Sequence, residues 1–188
     1  MTERTDARPR RAGRVAALCL AVALGACGGD AGTRVASSAL QSMEADYVAF
    51  GMRAYVTASG VREARIEADT AFIFEEESSA VLHRMSLVFY DEQGRERATV
   101  TGTEGDWNRQ TNRMVARGDV VLFIHGDSST IESPEIFYEP DIDRIWSDST
   151  TVRTMKDGSV QTGTAFESDM SFENLTIQNM RGSTRRIF

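Results

Sequence analysis

The sequence is poor in the residues that most enzymes use for chemistry. Among 188 residues there are two cysteines, both within the first 27, and two histidines. His83 and His125 lie in strand-like runs without the HxH or HxxE spacing of a metal site. No serine lies in a Gly-x-Ser-x-Gly elbow, and Asp141-Ile142-Asp143 lacks the glycine and terminal glutamate of a calcium loop. We therefore expect no enzymatic activity, no metal site and no cofactor. Because both cysteines lie within the first 27 residues, no disulfide is expected in the folded domain.

Long hydrophobic runs are also missing, and the apolar stretch near the N-terminus is short. Residues 15–24 follow a head with four arginines between positions 8 and 14. A membrane-spanning helix needs about 20 residues, whereas this length is typical of a secretory signal. The stretch ends in Leu24-Gly25-Ala26-Cys27, which resembles the lipobox of bacterial lipoproteins. That resemblance implies cleavage before Cys27 and diacylglycerol on its thiol; the alternative is an ordinary signal peptide with a chance cysteine.

The first 42 residues are accordingly predicted to lie outside the folded domain. We assign residues 1–26 to a lipoprotein signal peptide and 27–42 to the acylated Cys27 and a flexible tether. Cleavage removes five arginines and two acids, so 16 basic and 26 acidic residues remain, a net charge of −10 compared with −7 for the whole chain. This negative charge argues against nucleic acid as a partner and against a polybasic membrane surface.

Amphipathic helix patterns are absent after residue 60, where short strands alternate with turns. In Met114–Ile124 every even position is small or apolar, which is typical of a strand with one buried face. Gly118 in its middle marks a bulge, a bend or a close backbone approach. Similar segments start at Ala64, Ala98 and Ser129, 34 and 31 residues apart, and this spacing predicts a stacked array of β units.

Several motifs in a fixed order carry a resemblance to a known family. They are the Gly60 turn followed by Ala64-Arg65-Ile66-Glu67-Ala68-Asp69-Thr70-Ala71, then Leu87-Val88-Phe89-Tyr90-Asp91-Glu92-Gln93-Gly94, Thr103-Glu104-Gly105-Asp106-Trp107 and Ala116-Arg117-Gly118-Asp119-Val120. In this order they resemble the LptC family of periplasmic lipopolysaccharide-export proteins, part of the OstA-like superfamily. The resemblance implies an all-β, OstA-like twisted β-jellyroll of stacked antiparallel strands with a V-shaped apolar interior. We assign residues 43–180 to this domain and 181–188 to a C-terminal tail.

The same resemblance implies a function in the cell envelope. Family members receive lipopolysaccharide from an inner-membrane ABC transporter and pass it along a row of OstA-like domains. The expected partners are therefore lipopolysaccharide, that transporter and a periplasmic OstA-like bridge protein. Many members carry an uncleaved transmembrane helix, whereas this chain carries the signal for an acyl anchor. We expect a periplasmic domain tethered to the inner membrane, although the sequence leaves open which membrane holds the anchor.

A lipid carrier needs an apolar interior that continues across the repeats. The small residues among the candidates, Ala68, Gly102 and Ala116, would leave room for acyl chains, which bind through buried area at about 25 cal/mol per Å2. The alternative is an ordinary core filled by side chains, as in an envelope lipoprotein that binds proteins but no lipid. The predicted lipid-binding residues are Ile66, Ala68, Val81, Leu87, Phe89, Val100, Gly102, Met114, Ala116, Val120, Leu122, Ile131, Ile145 and Val152.

The two ends of a strand array expose unpaired edges, which in this family serve for strand addition to neighbours. We expect the N-terminal edge to dock on the transporter and the C-terminal edge to receive the next bridge protein, against the alternative of frayed edge strands. The predicted partner-binding residues are Met52, Ala54 and Val56 at one end, and Phe166, Phe172, Leu175 and Ile177 at the other. The candidates for contact with lipid phosphates are Arg84, Arg117 and Arg144. The alternative is that these arginines are solvated or form ion pairs.

Overall fold

The computed structural model describes residues 45–58 and 60–185. The predicted signal peptide, Cys27 and tether lie outside these residues. The all-β prediction is confirmed, because the regular elements of the described chain are strands and a single 3-10 turn. Among these residues no helix is long and apolar enough to cross a membrane. The elements are β1 (Tyr47–Ala58), β2 (Val61–Phe74), β3 (Ser79–Tyr90), β4 (Glu96–Asn108), β5 (Met114–Ile124), β6 (Ser129–Glu139), the 3-10 turn Pro140–Ile142, β7 (Arg144–Ser147), β8 (Thr151–Thr154), β9 (Ser159–Gly163), β10 (Ala165–Ser168), β11 (Thr176–Gln178) and β12 (Arg181–Arg185).

All described strands belong to one antiparallel sheet, and from β1 to β7 each strand pairs with the next one in sequence. The order runs from β1 to β7 and on to β10 and β11, while β8 pairs with β6 and β9, and β9 pairs with β12. β7 and β8 are therefore the two halves of one long strand that is interrupted once, and the same holds for β9 with β10 and for β11 with β12. We call each long strand, whole or interrupted, a ribbon. Two ribbons with their turns account for the repeat of 34 and 31 residues in the sequence.

Each ribbon bends at one position, and the bends form a line across the sheet. Gly51, Asp69 and Arg84 lie side by side on β1, β2 and β3, where the ladder of paired residues is interrupted. Gly51 and Arg84 have φ of 61° and 49°, in the left-handed region that strands avoid. On β5 the bend falls at Gly118, which has φ of 75° and whose position would bring a Cβ to 2.9 Å from Thr103.

The line of bends divides the sheet into two arms. On β2, β3, β4 and β6 the buried residues switch phase at the bend, for example from Leu82 to Met85 on β3 and from Ser133 to Ile136 on β6. The inward faces of the two arms consequently oppose each other, as the 5.2 Å between the ring centres of Phe89 and Tyr138 shows. Arm 1 consists of residues 52–58, 60–68, 85–102, 120–133, 151–163 and 181–185; arm 2 consists of 47–50, 70–83, 104–117, 135–147 and 165–178.

The C-terminal region differs from the sequence prediction. Residues 181–185, assigned to a tail from the sequence, form β12 and pair with β9. Their sequence Arg-Gly-Ser-Thr-Arg has no apolar alternation, so no periodic signal indicates a strand there. The strand forms because the neighbouring edge of β9 offers unpaired backbone groups, which does not depend on side-chain pattern.

Candidate functional site

The space between the arms holds most of the predicted lipid-binding residues. Leu122, Ile131 and Ile145 have no exposed surface, and the cluster continues without a break from β1 to the segment after β10. Eleven of the fourteen predicted residues belong to this cluster: Ile66, Ala68, Leu87, Phe89, Val100, Met114, Ala116, Val120, Leu122, Ile131 and Ile145. One apolar interior therefore runs along the whole sheet.

Three predicted lining residues are not part of this cluster. Val81 precedes the bend of β3, where its neighbours Ala80 and Leu82 face the interior and Val81 is half-buried on the other face, because the sequence prediction assumed one phase along that strand. Val152 is half-buried beside the fully buried Thr151. Gly102 lies at the bend of β4, where a Cβ would lie 3.2 Å from Arg117 O and 3.5 Å from Val120 Cγ2, so this position is closely packed and leaves no room for an acyl chain.

The phase switch explains part of the lining that the sequence prediction missed. On β2, β3, β4 and β6 the alternation changes at the bend, so inward positions on the other side of it were not assigned, whereas the buried residues of β5 keep one phase throughout. A proline or charged residue inside an otherwise alternating strand, such as Pro134 or Arg84, is the signal that could have located the switch. The missed residues of the interior are Ala64, Ala71, Ala80, Leu82, Met85, Ala98, Ile124, Ile136 and Tyr138.

The middle of the interior is filled by the protein's own side chains. The cavity found there has a volume of about 10 Å3 and is lined by residues of both arms, among them Leu87, Val100, Met114 and Ile136. A volume of this size holds one water molecule at most. In this conformation the interior is therefore a closed core, and an acyl chain enters it only if the arms move apart.

The tips of the arms leave an open cleft, which we call the mouth. Its volume is about 740 Å3, and its walls include Phe89 and Arg97 of arm 1 and Tyr138 and Met170 of arm 2. Burial raises the pKa of the Tyr138 hydroxyl, and the nearby Glu63, Asp141 and Asp143 raise it further. Tyr138 therefore remains neutral, with its ring against Phe89 at the floor of the mouth.

Aromatic rings and charges line the rim of the mouth. The guanidinium of Arg62 lies 4.4 Å from the ring centre of Tyr55 and 5.6 Å from that of Tyr90. Asp91 accepts hydrogen bonds from the backbone N–H of Arg95 at 2.8 Å and of Gln93 at 2.9 Å, and from the Arg95 side chain at 2.7 Å. The bond from the Arg95 backbone is the largest cause of a lowered pKa of Asp91.

The arginines proposed for lipid phosphates are all paired on the outer face. Arg84 contacts Asp69 at 2.7 Å, and Arg144 contacts Glu167 at 2.7 Å and lies 4.5 Å from the ring centre of Trp146. Arg117 pairs with Asp106 and, at 3.7 Å, with Glu135. Their charges are thus compensated by neighbouring carboxylates. The described residues contain no group of three or more His, Cys, Asp or Glu placed to hold a metal ion.

The N-terminal edge of the sheet is long and partly apolar. β1 is 12 residues long and, among the strands of residues 45–58 and 60–185, pairs only with β2, so its other side has no strand partner there. Met52, Ala54 and Val56 face the interior, with Val56 buried and the other two packed against the core. The exposed aromatic residues of this strand are Tyr47, Phe50 and Tyr55.

The C-terminal edge is shorter, and the structure corrects part of its prediction. Phe166 lies in β10, which pairs with both β7 and β11, and its side chain is 1% exposed, so it is a core residue of an inner strand. Phe172 lies in the segment between β10 and β11. Ile177 is in the edge strand β11, and both Ile177 and Leu175 pack partly buried against the core.

Comparison with known proteins yields a matching family model and similar solved structures. A family model described as "Lipopolysaccharide-assembly, LptC-related" matches residues 15–184. A crystal structure of LptH, the LptA-homologous periplasmic component of the lipopolysaccharide transport device of Pseudomonas aeruginosa, is similar with a TM-score of 0.49 and 14% identity, over 61% of this chain and 80% of that chain. None of the curated proteins searched matches the sequence. Since the family model spans most of its length, the chain belongs to the LptC-related family of lipopolysaccharide-assembly proteins.

Proposed function

We propose that this protein is a periplasmic bridge component of lipopolysaccharide export. It binds the acyl chains of lipopolysaccharide between its two arms and passes them from the inner-membrane ABC transporter to the next OstA-like protein. Family membership supports a role in lipopolysaccharide transport. The observation that carries the lipid-binding step is the single apolar interior, which extends from the edge strand β1 to the C-terminal end of the sheet.

Binding requires the arms to separate, because the interior is filled in the closed conformation. The backbone hydrogen bonds of the sheet run between neighbouring strands within each arm, so separation at the tips breaks side-chain contacts rather than strand pairs. Each CH2 group that moves from water into the interior contributes about 0.8 kcal/mol. Several acyl chains together can therefore offset the loss of contacts such as Phe89 with Tyr138.

Hand-over occurs at the two edges of the sheet. The inward row Met52, Ala54 and Val56 continues the apolar interior up to the unpaired side of β1. A neighbouring strand that pairs there would extend both the sheet and the interior. We assign the β1 edge to the transporter and the β11–β12 edge to the next OstA-like protein, and the anchor on Cys27 holds the domain near the inner membrane.

A second function is favoured by the filled interior itself. A cavity of about 10 Å3 is what an ordinary core shows. A lipoprotein with such a core would bind envelope proteins through its edges and take up no lipid. The two functions differ in whether lipopolysaccharide ever contacts the inward residues.

Photocrosslinking in cells distinguishes the two functions. A benzoylphenylalanine probe replaces Leu122, which has no exposed surface, and a matched probe replaces Arg117 on the outer face of the same strand. Carrier function predicts a lipopolysaccharide adduct at position 122 that depends on ATP hydrolysis by the transporter, and none at 117. Absence of an adduct at 122 in folded protein would instead support the structural lipoprotein.

The edge assignment has a separate test. Met52→Lys places an inward charge on the edge strand, a change that natural sheets use to prevent strand addition. We expect it to abolish co-purification with the transporter, because the inward row can no longer join an apolar neighbour. Tyr55→Lys adds the same charge to the exposed outer side of the same strand and serves as control. Equal loss of co-purification in both variants would contradict the assignment.

A further inference from the structure

The segment between β10 and β11, residues 169–175, belongs to arm 2 and reaches over the mouth toward the tip of arm 1. It begins after Ser168 and ends before Thr176. Met170 and Ser171 line the mouth, and Ser171 and Phe172 also line a second cleft of about 550 Å3 formed with the tips of β4 and β5 in arm 1. The segment therefore separates two openings into the interior, and we call it the clasp.

The clasp is held together mainly by its own first residue. Asp169 accepts hydrogen bonds from Ser171 Oγ at 2.8 Å, Asn174 Nδ2 at 2.6 Å and the backbone N–H of Glu173 at 3.3 Å. Its backbone carbonyl accepts a further bond from the N–H of Phe172 at 3.2 Å. One more bond, from the N–H of Met170 to Asp143 Oδ1 at 3.0 Å, fixes the clasp to arm 2. This bonding keeps the shape of the clasp independent of arm 1.

The most deeply buried contact of the clasp with arm 1 is made by one aromatic ring. Phe172 inserts toward the interior, is 9% exposed, and lies with its ring centre 5.6 Å from that of Phe89. Among the described residues, no hydrogen bond or ion pair joins the clasp to arm 1. The contact is thus apolar and can be replaced by another apolar group without leaving polar groups unpaired.

The backbone of Phe172 shows that this placement is imposed on the chain. Its φ of 60° lies in the left-handed region, which is a rare outlier for a bulky residue. Such conformations persist only where surrounding structure holds them, and they are concentrated at ligand sites and switches. Here the conformation directs the ring at Phe89, which stands at the inner end of the mouth.

We propose that the mouth is the site where acyl chains are admitted to the interior, and that Phe172, which packs on Phe89 at the inner end of the mouth, is a displaceable plug until a chain replaces it. The inference rests on the proposed lipid-carrying function and adds a route and a gate to it. An acyl chain that enters beside Phe89 takes over the apolar contact of the ring. The clasp then swings away on arm 2 with its internal hydrogen bonds intact, and the arms are free to part.

Stopped-flow capture of fluorescent lipopolysaccharide by the full chain tests the proposal. Phe172→Ala removes the plug and leaves Asp169 and its bonds in place, so we expect the capture rate to rise roughly tenfold, the size of effect that an aromatic contact supports. The matched control is Phe137→Ala, which removes a ring of arm 2 that stacks on Trp146 outside the interior. Its capture rate is expected to equal that of the unchanged protein.

Asp169→Ala provides a second variant that loosens the clasp without touching the interior, and it decides the test if Phe172→Ala does not fold. It is also expected to accelerate capture. If the unchanged protein captures lipopolysaccharide and both variants capture it at the same rate, the plug is refuted while the carrier function stands. If the unchanged protein captures none, the carrier function fails and the route through the mouth fails with it.

Discussion

The middle of the interior and its mouth are built from the same two arms but differ in packing. In the middle, Leu122 and Ile145 are fully buried, and the remaining cavity measures about 10 Å3. At the mouth, the same arms leave about 740 Å3, bounded by aromatic rings, carboxylates and arginines. The middle supplies the free energy of folding, and the mouth offers a surface that can change. The described residues contain no disulfide, so the stability of the sheet depends on the packed middle, while the mouth stays accessible to solvent.

The largest expected effect is a charge in the middle. Leu122→Asp buries a carboxylate without a partner, and we expect a loss of about 4 kcal/mol or more in the free energy of unfolding. Ala58→Asp adds the same group at the mouth, where residue 58 is exposed to solvent, and should cost about 0.5 kcal/mol or less. Chemical denaturation measures both. Similar losses in the two variants would show that the middle and the mouth do not differ in the way described.

A smaller effect is expected at the bend that closes the C-terminal end. A Cβ on Gly163 would lie 2.2 Å from Ile177 Cγ2 and 2.6 Å from Gln178 O, so Gly163→Ala should cost about 1–3 kcal/mol by overpacking. Gly126 lies in the turn after β5, and a Cβ added there would have no atom within 4 Å. Gly126→Ala should be neutral or slightly stabilising. Equal thermal midpoints for the two variants would contradict close packing at this bend.

The smallest effect concerns the rim of the mouth and depends on pH. Because the pKa of Asp91 in the folded protein lies below its ordinary value of 3.8, its contribution to stability is present above pH 3.8 and is lost as the pH falls through the folded pKa. Asp91→Asn should therefore lower the unfolding midpoint at pH 6. The difference from the unchanged protein should shrink below pH 3.8, and a difference that grows in acid would contradict the assignment.

The sequence predicted the strands well and the bends incompletely. The alternation in Met114–Ile124 identified Leu122 and Ala116 as inward residues, and Gly118 was correctly marked as a bend or close approach. The consequence of the bend was not predicted, because a phase switch depends on backbone conformation at residues such as Arg84 rather than on side-chain type. Val81 was for that reason placed on the wrong face.

The ends of the domain were hardest to predict, because their structure depends on pairing and not on pattern. Phe166 and Phe172 looked alike in sequence as apolar residues near the C-terminus. In the structure one belongs to an inner strand, and the other packs on Phe89 beside the mouth. The position of Phe172 depends on the turn in which Asp169 binds Ser171 and Asn174, and no periodic pattern in the sequence indicates that turn.

The account depends most directly on whether the arms move apart when lipid binds. Spin labels attached through non-natural residues at Glu92 and Asp141, which are exposed at the tips of arm 1 and arm 2, report this distance by pulsed electron double resonance. The account predicts a narrow distribution in the free protein and a shift to longer distances when lipopolysaccharide is bound. An unchanged distribution in protein that has demonstrably bound lipopolysaccharide would contradict it, because the closed interior has no room for an acyl chain.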